Sequence, residues 1–170
     1  GHKFDLTLQR INLTELLPNS FGGLHGSVDL SDNLLTRLNN ETFNGSTIAE
    51  FNLSNNQITL IEPQAFVVSA SLETLDLSHN QLTAYTTALT ANTPLVRVLN
   101  VSHNALTAIP YSLSSNRLFD PSFTRGNPLQ CTAYSPVLTN CSCPAGEHFL
   151  AFCGYGLCTD TPTGCPNGSR

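Results

Sequence analysis

The chain has 170 residues, of which 11% are charged, and its formal net charge is −5. A globular domain usually devotes about a quarter of its residues to Asp, Glu, Lys and Arg, so this surface is poor in ions. The few Lys and Arg residues are not clustered, which argues against nucleic acid as a partner, and the longest apolar stretch, residues 148–158, is too short to span a membrane.

An internal repeat occupies most of the chain. The segment at 51–58, FNLSNNQI, recurs at 75–82 as LDLSHNQL and at 99–106 as LNVSHNAL, with a weaker copy at 28–35 and an earlier one at 6–13. The copies align on Asn33, Asn56, Asn80, Asn104 and Asn127, and Ile11 takes the asparagine position of the first copy. A constant period of this kind indicates a repeat architecture, with six units over residues 4 to about 129.

The spacing of the apolar residues favours strands over helices. An L-x-L segment places two apolar residues on one face of a short strand and the intervening residue on the other. Amphipathic helices are disfavoured, because apolar spacings of two and then three, in phase with asparagine, do not fit a period of 3.6. One coil cannot bury its own apolar face, so we expect stacked coils with an inward asparagine ladder that bonds backbone groups.

The copies resemble the leucine-rich repeat, L-x-x-L-x-L-x-x-N-x-L-x-x-L, and Phe43 and Phe66, which close their units, resemble its extracellular type. The resemblance implies an α/β solenoid over residues 1–129, with a short-stranded parallel sheet on the concave side. The return segments on the convex side, such as 63–66 and 110–113, are expected to be short helices, 3₁₀ turns or extended chain. The implied function is non-catalytic recognition, adhesion or assembly with protein or glycan partners and without a cofactor.

Stacking aligns equivalent side chains into columns on the strand face. The central column is Thr7, Asp29, Asn52, Asp76 and Asn100, and a second column is Asp5, Ser27, Glu50, Thr74 and Val98. Two more columns are Gln9, Ser31, Ser54, Ser78 and Ser102, and Arg10, Asp32, Asn55, His79 and His103. The concave face is the commonest ligand platform of the resembled family, so the candidate contacts are Asp29, Glu50, Asp76, His79 and His103. With one Arg and no Trp, Tyr or Phe, these columns form a mildly acidic groove that lacks a protein hot spot.

Two clusters of reactive residue types arise within the repeat. Asp76, Ser78 and His79 include the residue types of a hydrolase triad, but His79 belongs to the turn and D-L-S-x-N is the repeat consensus, so no enzyme is predicted. His79 and His103 could bind a metal or sense pH. A solvated turn column is favoured, because the column offers no third ligand.

N-glycosylation is predicted to compensate for the missing charge. The chain has seven N-x-[S/T] acceptors, at Asn12, Asn40, Asn44, Asn52, Asn100, Asn140 and Asn167. None coincides with the asparagine ladder. Asn52 and Asn100 face outward in the central column, so the hypothesis is that glycans cover the concave face and partners bind elsewhere.

The tail at 130–170 is predicted to be a small disulfide-rich module. It contains all six cysteines, Cys131, Cys141, Cys143, Cys153, Cys158 and Cys165, which indicates three disulfides and an extracellular setting, either secreted, on the cell surface or in the matrix. Zinc is disfavoured because there is no C-x-x-C pair. The sequence NPLQC at 127–131 resembles the start of the C-terminal cap of extracellular leucine-rich repeat proteins, but the pairing of the cysteines is left open.

The first coil has no cysteine cap, so its apolar edge, which includes Leu6, Leu8, Leu13 and Leu16, requires a cover. Either a preceding segment or another subunit covers it. Head-to-tail stacking of identical chains does not close, and it produces filaments. A self-assembling glycosylated fibre or matrix subunit, a head-to-tail homo-oligomer, is therefore the alternative function.

Overall fold

The computed structural model describes residues 4–66, 71–85, 95–107 and 125–128, together with the strand segments 148–149 and 158–159. Its main feature is a five-stranded parallel sheet formed by strands that follow one another along the chain. In sheet order the strands are β1 (Phe4–Thr7), β2 (His25–Asp29), β4 (Thr47–Asn52), β6 (Thr74–Asp76) and β7 (Val98–Asn100). Each repeat unit therefore forms one coil of a solenoid and contributes one strand to this sheet, as the repeat predicts.

The register of the sheet reproduces the predicted central column. Thr7 pairs with Asp29, Asp29 with Asn52, Asn52 with Asp76, and Asp76 with Asn100. The pairing of β2 with β4 shifts between Gly26 and Ser27, so one residue of β4 is left out of the ladder. From the pairing of Ser27 with Glu50 to the C-terminal ends of the strands, the columns are in register across all five strands.

The return side of each coil is built from turns and very short strands. A two-stranded parallel sheet joins β3 (Arg37–Leu38) to β5 (Leu60–Ile61), and the segment 63–66 is a turn. The described residues contain no helix, so the helical alternative for the return segments is not adopted there; segment 110–113 lies outside the described residues. In the tail, β8 (His148–Phe149) pairs with β9 (Cys158–Thr159) in antiparallel fashion.

Aromatic rings connect the return sides of successive coils inside the core. The ring centroids of Phe21 and Phe43 are 5.4 Å apart, and those of Phe43 and Phe66 are 5.1 Å apart. Phe51 of β4 packs against Phe43 from the sheet side at 4.2 Å. All four rings are buried, so one continuous apolar core spans the coils. The sequence analysis named Phe43 and Phe66 but not Phe21.

The asparagine ladder connects each coil to the one before it. The Asn80 side-chain amide donates to the carbonyl of Leu53 one coil earlier at 3.0 Å, and its Oδ1 accepts the backbone N–H of Ile58 at 2.9 Å. Asn33, Asn56, Asn104 and Asn127 make the equivalent bonds. These bonds satisfy backbone groups that the tight turn after each strand leaves unpaired within its own coil.

The residue before each ladder position, including the position held by Ile11, adopts a left-handed conformation. The φ angles of Arg10, Asp32, Asn55, His79 and His103 lie between 53° and 57°. Asn, Asp and His tolerate this region better than most residues, and Gly126 occupies the next position of the column with φ 71°. This reversal of the chain turns the following asparagine inward.

Candidate functional site

A groove lies on the outer face of the parallel sheet, across strands β1 to β6. Its cavity has a volume of about 470 Å³. Its polar lining consists of Asp5, Thr7, Ser27, Asp29, Glu50, Asn52, Thr74 and Asp76. Thus the structure brings together Asp29, Glu50 and Asp76, three of the five candidate contacts that the sequence predicts.

The groove is anionic at neutral pH. Partial burial is the largest influence on the pKa of Asp29 and raises it, but hydrogen bonds from the Ser31 backbone and hydroxyl, Gln9 and Asn52 together hold this pKa below its ordinary value. Asp29 therefore stays ionised, and Asp5 and Glu50 add two more exposed carboxylates close by. A cationic group is the chemical type that this face attracts most strongly.

The side chains of the central column also shape the turn after each strand. One side-chain oxygen of each Asp or Asn accepts the backbone N–H of the residue two positions later, at distances from 2.8 to 3.1 Å. The acceptors are Asp29, Asn52, Asp76 and Asn100. This arrangement is an Asx turn, which the sequence analysis did not anticipate. One side-chain oxygen of each column residue thus stabilises the turn, and Asp29, Asn52 and Asp76 also line the groove.

The serine column was wrongly placed on the open strand face. Ser31, Ser78 and Ser102 are buried and Ser54 is half-buried, whereas Gln9 of the first coil is exposed. The physical reason is that each strand ends two residues before its serine, and the Asx turn rotates the serine out of the strand alternation.

Carboxylate and amide side chains alternate along the central column from Asp29 to Asn100. The Asn100 side-chain amide donates to Asp76 Oδ2 at 3.1 Å, which bridges two coils. Two ionised carboxylates on adjacent coils would repel each other, whereas an amide between them supplies donors. The alternation therefore stabilises the sheet while it keeps negative charge on every second coil.

His79 and His103 form a stack outside the groove. Their ring centroids are 4.3 Å apart, the rings are inclined by 7°, and both residues are exposed on the left-handed turn column. Neither histidine is among the residues that line the groove, so the structure does not group them with Asp29, Glu50 and Asp76. Ring lone pairs lie in the ring planes, so two nearly parallel rings do not converge on one ion. Among the described residues, no three His, Cys, Asp or Glu side chains are grouped for a metal ion.

Asp76, Ser78 and His79 are not arranged as a catalytic triad. Asp76 Oδ1 accepts the backbone N–H of Ser78 at 2.8 Å, while Ser78 is buried and the exposed His79 ring stacks on His103. A triad requires the histidine to contact both the hydroxyl and the carboxylate. Within the described part of the chain, no hydrogen bond joins these three side chains in that order.

The five described glycosylation acceptors lie in two different environments. Asn52 and Asn100 are half-buried on the strand face, whereas Asn12 and Asn40 are exposed on the turns and Asn44 is half-buried there. Asn140 and Asn167 lie outside the described residues. So do the cysteines, apart from the backbone of Cys158 in β9, and the predicted disulfides are therefore not described.

Residues 26–82, about a third of the chain, match a family model described as leucine rich repeat. This segment contains β2, apart from its first residue, and β3 to β6, and therefore most of the groove. No curated protein matches the chain. In the part of the chain that the structure describes, no helix is sufficiently long and apolar to cross a membrane. The match and the stacked parallel coils together support a leucine-rich repeat protein, and leucine-rich repeat domains typically serve as protein-interaction modules.

Proposed function

We propose that the chain is an extracellular, N-glycosylated and non-catalytic interaction module that serves recognition, adhesion or assembly. The repeat match supports the interaction role. The cysteine-rich tail and the exclusion of every acceptor asparagine from the inward ladder support passage through the secretory route. The partners are proteins or glycans that bind away from the middle of the strand face.

The position of Asn52 carries this proposal. Asn52 lies in the lining of the groove and pairs in register with Asp29 on one side and Asp76 on the other. A glycan attached there occupies the centre of the face that would otherwise bind a partner. It also adds hydration where this sparsely charged chain has few ions.

Carboxyl labelling of the glycosylated protein tests directly whether a glycan at Asn52 shields the groove. A water-soluble carbodiimide and a small amine label accessible carboxylates, and peptide mass spectrometry reads the label at Asp29 and Asp76. We expect strong protection of both sites in the native glycoprotein and a severalfold rise in labelling in Asn52→Gln. Gln57→Ala is the control, because Gln57 is exposed in the same coil, lies outside the left-handed column and belongs to no acceptor motif. Equal labelling in all three proteins would contradict the proposal.

The exposed edge of the first coil favours a second candidate, a fibre subunit. Ile11 is 53% exposed and Leu17 is 64% exposed, and Leu6, Leu8 and Leu13 are only partly buried. Ile11 occupies the ladder position of this coil, so the ladder of cross-coil side-chain bonds begins only at Asn33. A second copy that stacks on this edge buries the apolar groups and propagates in one direction.

Light scattering and negative-stain imaging of the concentrated chain distinguish the two candidates. Filaments that disappear in Ile11→Asp, but persist in the control Leu60→Asp, would support the fibre. Leu60 suits this purpose because it is a similarly exposed apolar residue on β5, away from the first coil. A monodisperse monomer at high concentration would eliminate the fibre candidate.

A further inference from the structure

The hydroxyl residues of the glycosylation acceptors differ sharply in burial. In the acceptor at Asn40 the hydroxyl residue is Thr42, which is 0% exposed, and in the acceptor at Asn44 it is Ser46, which is 4% exposed. Ser102, which completes the acceptor at Asn100, is 9% exposed. Thr14, which completes the acceptor at Asn12, is exposed, as is Asn12 itself.

Two of these three buried hydroxyls also donate hydrogen bonds to the backbone. Thr42 Oγ1 donates to the carbonyl of Asn39 at 2.8 Å, and Ser46 Oγ donates to the carbonyl of Phe43 at 2.8 Å. Phe43 lies between these two residues in the chain, and its ring is stacked between two others in the core. Exposing either hydroxyl therefore requires the turn to open and this ring to leave the core.

Glycan transfer requires access to both ends of the acceptor motif. The reaction joins the asparagine side-chain nitrogen to the anomeric carbon of an oligosaccharide, breaks the bond from that carbon to a polyprenyl diphosphate, and releases one amide proton. The motif is defined by the hydroxyl two residues later, so the transferase must reach that hydroxyl as well as the asparagine. Among the five acceptors that the structure describes, both the asparagine and the hydroxyl residue are exposed only at Asn12, whereas Asn52 and Ser54 are half-buried.

We propose that Asn40, Asn44 and Asn100 accept glycans only before their coils close, whereas Asn12 also accepts a glycan from the folded chain. This inference rests on the proposed secretory route. The rate at which the coils close therefore competes with the rate of glycan transfer, and the ratio of these two rates sets the glycan occupancy of these sites. Fast folding leaves these three asparagines bare, and slow folding fills them.

The test compares folded and unfolded forms of the full chain. The chain is produced without glycans and incubated with purified oligosaccharyltransferase and its lipid-linked oligosaccharide, and each site is quantified by glycopeptide mass spectrometry. Leu75→Asp supplies the unfolded form, because Leu75 is fully buried in β6 and belongs to no acceptor motif. Synthetic peptides of residues 36–50 and 96–106 supply a second unfolded reference.

We expect modification of the folded chain at Asn12 and at least about tenfold less modification at Asn40, Asn44 and Asn100 than in the unfolded forms. Equal modification of folded and unfolded chains at these three sites would overturn the inference and leave the proposed function intact. Failure to modify Asn12 in the folded chain would also overturn it. Absence of glycans from the protein of its native source, with the peptides modified normally, would instead contradict the proposed function.

Discussion

Replacing Asn80 with alanine removes one complete rung of the asparagine ladder. The Asn80 amide nitrogen lies 3.0 to 3.2 Å from the carbonyl oxygens of Leu53, Leu77 and Ser78, and its Oδ1 accepts the N–H of Ile58 at 2.9 Å. The substitution therefore deletes up to four contacts between a buried side chain and the backbone. Its cost depends on which backbone groups keep another partner.

The three carbonyls each retain a donor, but the N–H does not retain an acceptor. The retained donors are the Asn56 amide for Leu53, the Asn104 amide for Leu77 and the backbone N–H of Asn55 for Ser78. The N–H of the fully buried Ile58 loses its acceptor, which costs about 1–3 kcal/mol. The loss of the shared bonds adds about 1 kcal/mol, so we expect the free energy of unfolding to fall by about 2–4 kcal/mol.

Urea unfolding followed by circular dichroism measures this change, and amide hydrogen exchange locates it. The amide of Ile58 should exchange much faster in Asn80→Ala than in the unsubstituted chain, because it is the orphaned group. Gln81→Ala is the matched control, since Gln81 is the exposed neighbour, and it should change stability by less than about 0.5 kcal/mol. A loss below about 1 kcal/mol in Asn80→Ala, or unchanged exchange at Ile58, would refute the reasoning.

Three further predictions follow from the core, the turn column and the ion pair of the return side. Phe43→Ala should lower the free energy of unfolding by about 3–5 kcal/mol in urea titrations, because the buried ring contacts three others, whereas Leu17→Ala on the exposed edge should be nearly neutral. Gly126→Ala should cost about 1–3 kcal/mol, since φ is 71° and the new Cβ would lie 2.5 Å from His103 Nδ1. Adding His103→Ala should remove the steric clash but not the backbone strain at residue 126, so only part of the lost stability should return. A double-mutant cycle measures the part that returns. The N–H of Asn40 is the main cause that lowers the pKa of Glu62, and the Arg37 guanidinium lowers it further. A folded-state pKa below the unfolded one contributes stability at neutral pH that is lost as the pH falls below about 4, so Glu62→Gln should flatten the pH dependence of urea stability there. An unchanged pH profile would contradict this assignment.

The solenoid and the register of its sheet could be predicted from the sequence because the repeat carries them. Each copy brings its own L-x-L strand and inward asparagine, so aligning Asn56 with Asn80 also aligns Asn52 with Asp76 on the face of the sheet. The asparagine period is thus a direct measure of the coil length.

The burial of the serine column could not be predicted from strand alternation. Alternation holds only while the backbone is extended, and β6 ends at Asp76, two residues before Ser78. The Asx turn then directs Ser78 inward and leaves the His79 ring stacked on His103 outside the groove. Phe21 was missed although it stands ten residues after Ile11, as Phe43 stands after Asn33 and Phe66 after Asn56, so the repeat register could have identified it. Local hydrogen bonds decide the burial of the serines and the position of the His79 ring.

Site-resolved glycopeptide mapping of the protein from its native source tests the proposed function most directly. Asn52 is the deciding site, because it lies in the register of the sheet between Asp29 and Asp76. The proposed function predicts a glycan at Asn52, with Asn100 as the second site on the strand face. Finding both asparagines unmodified would leave the anionic groove open and contradict the proposal that partners bind elsewhere on the solenoid.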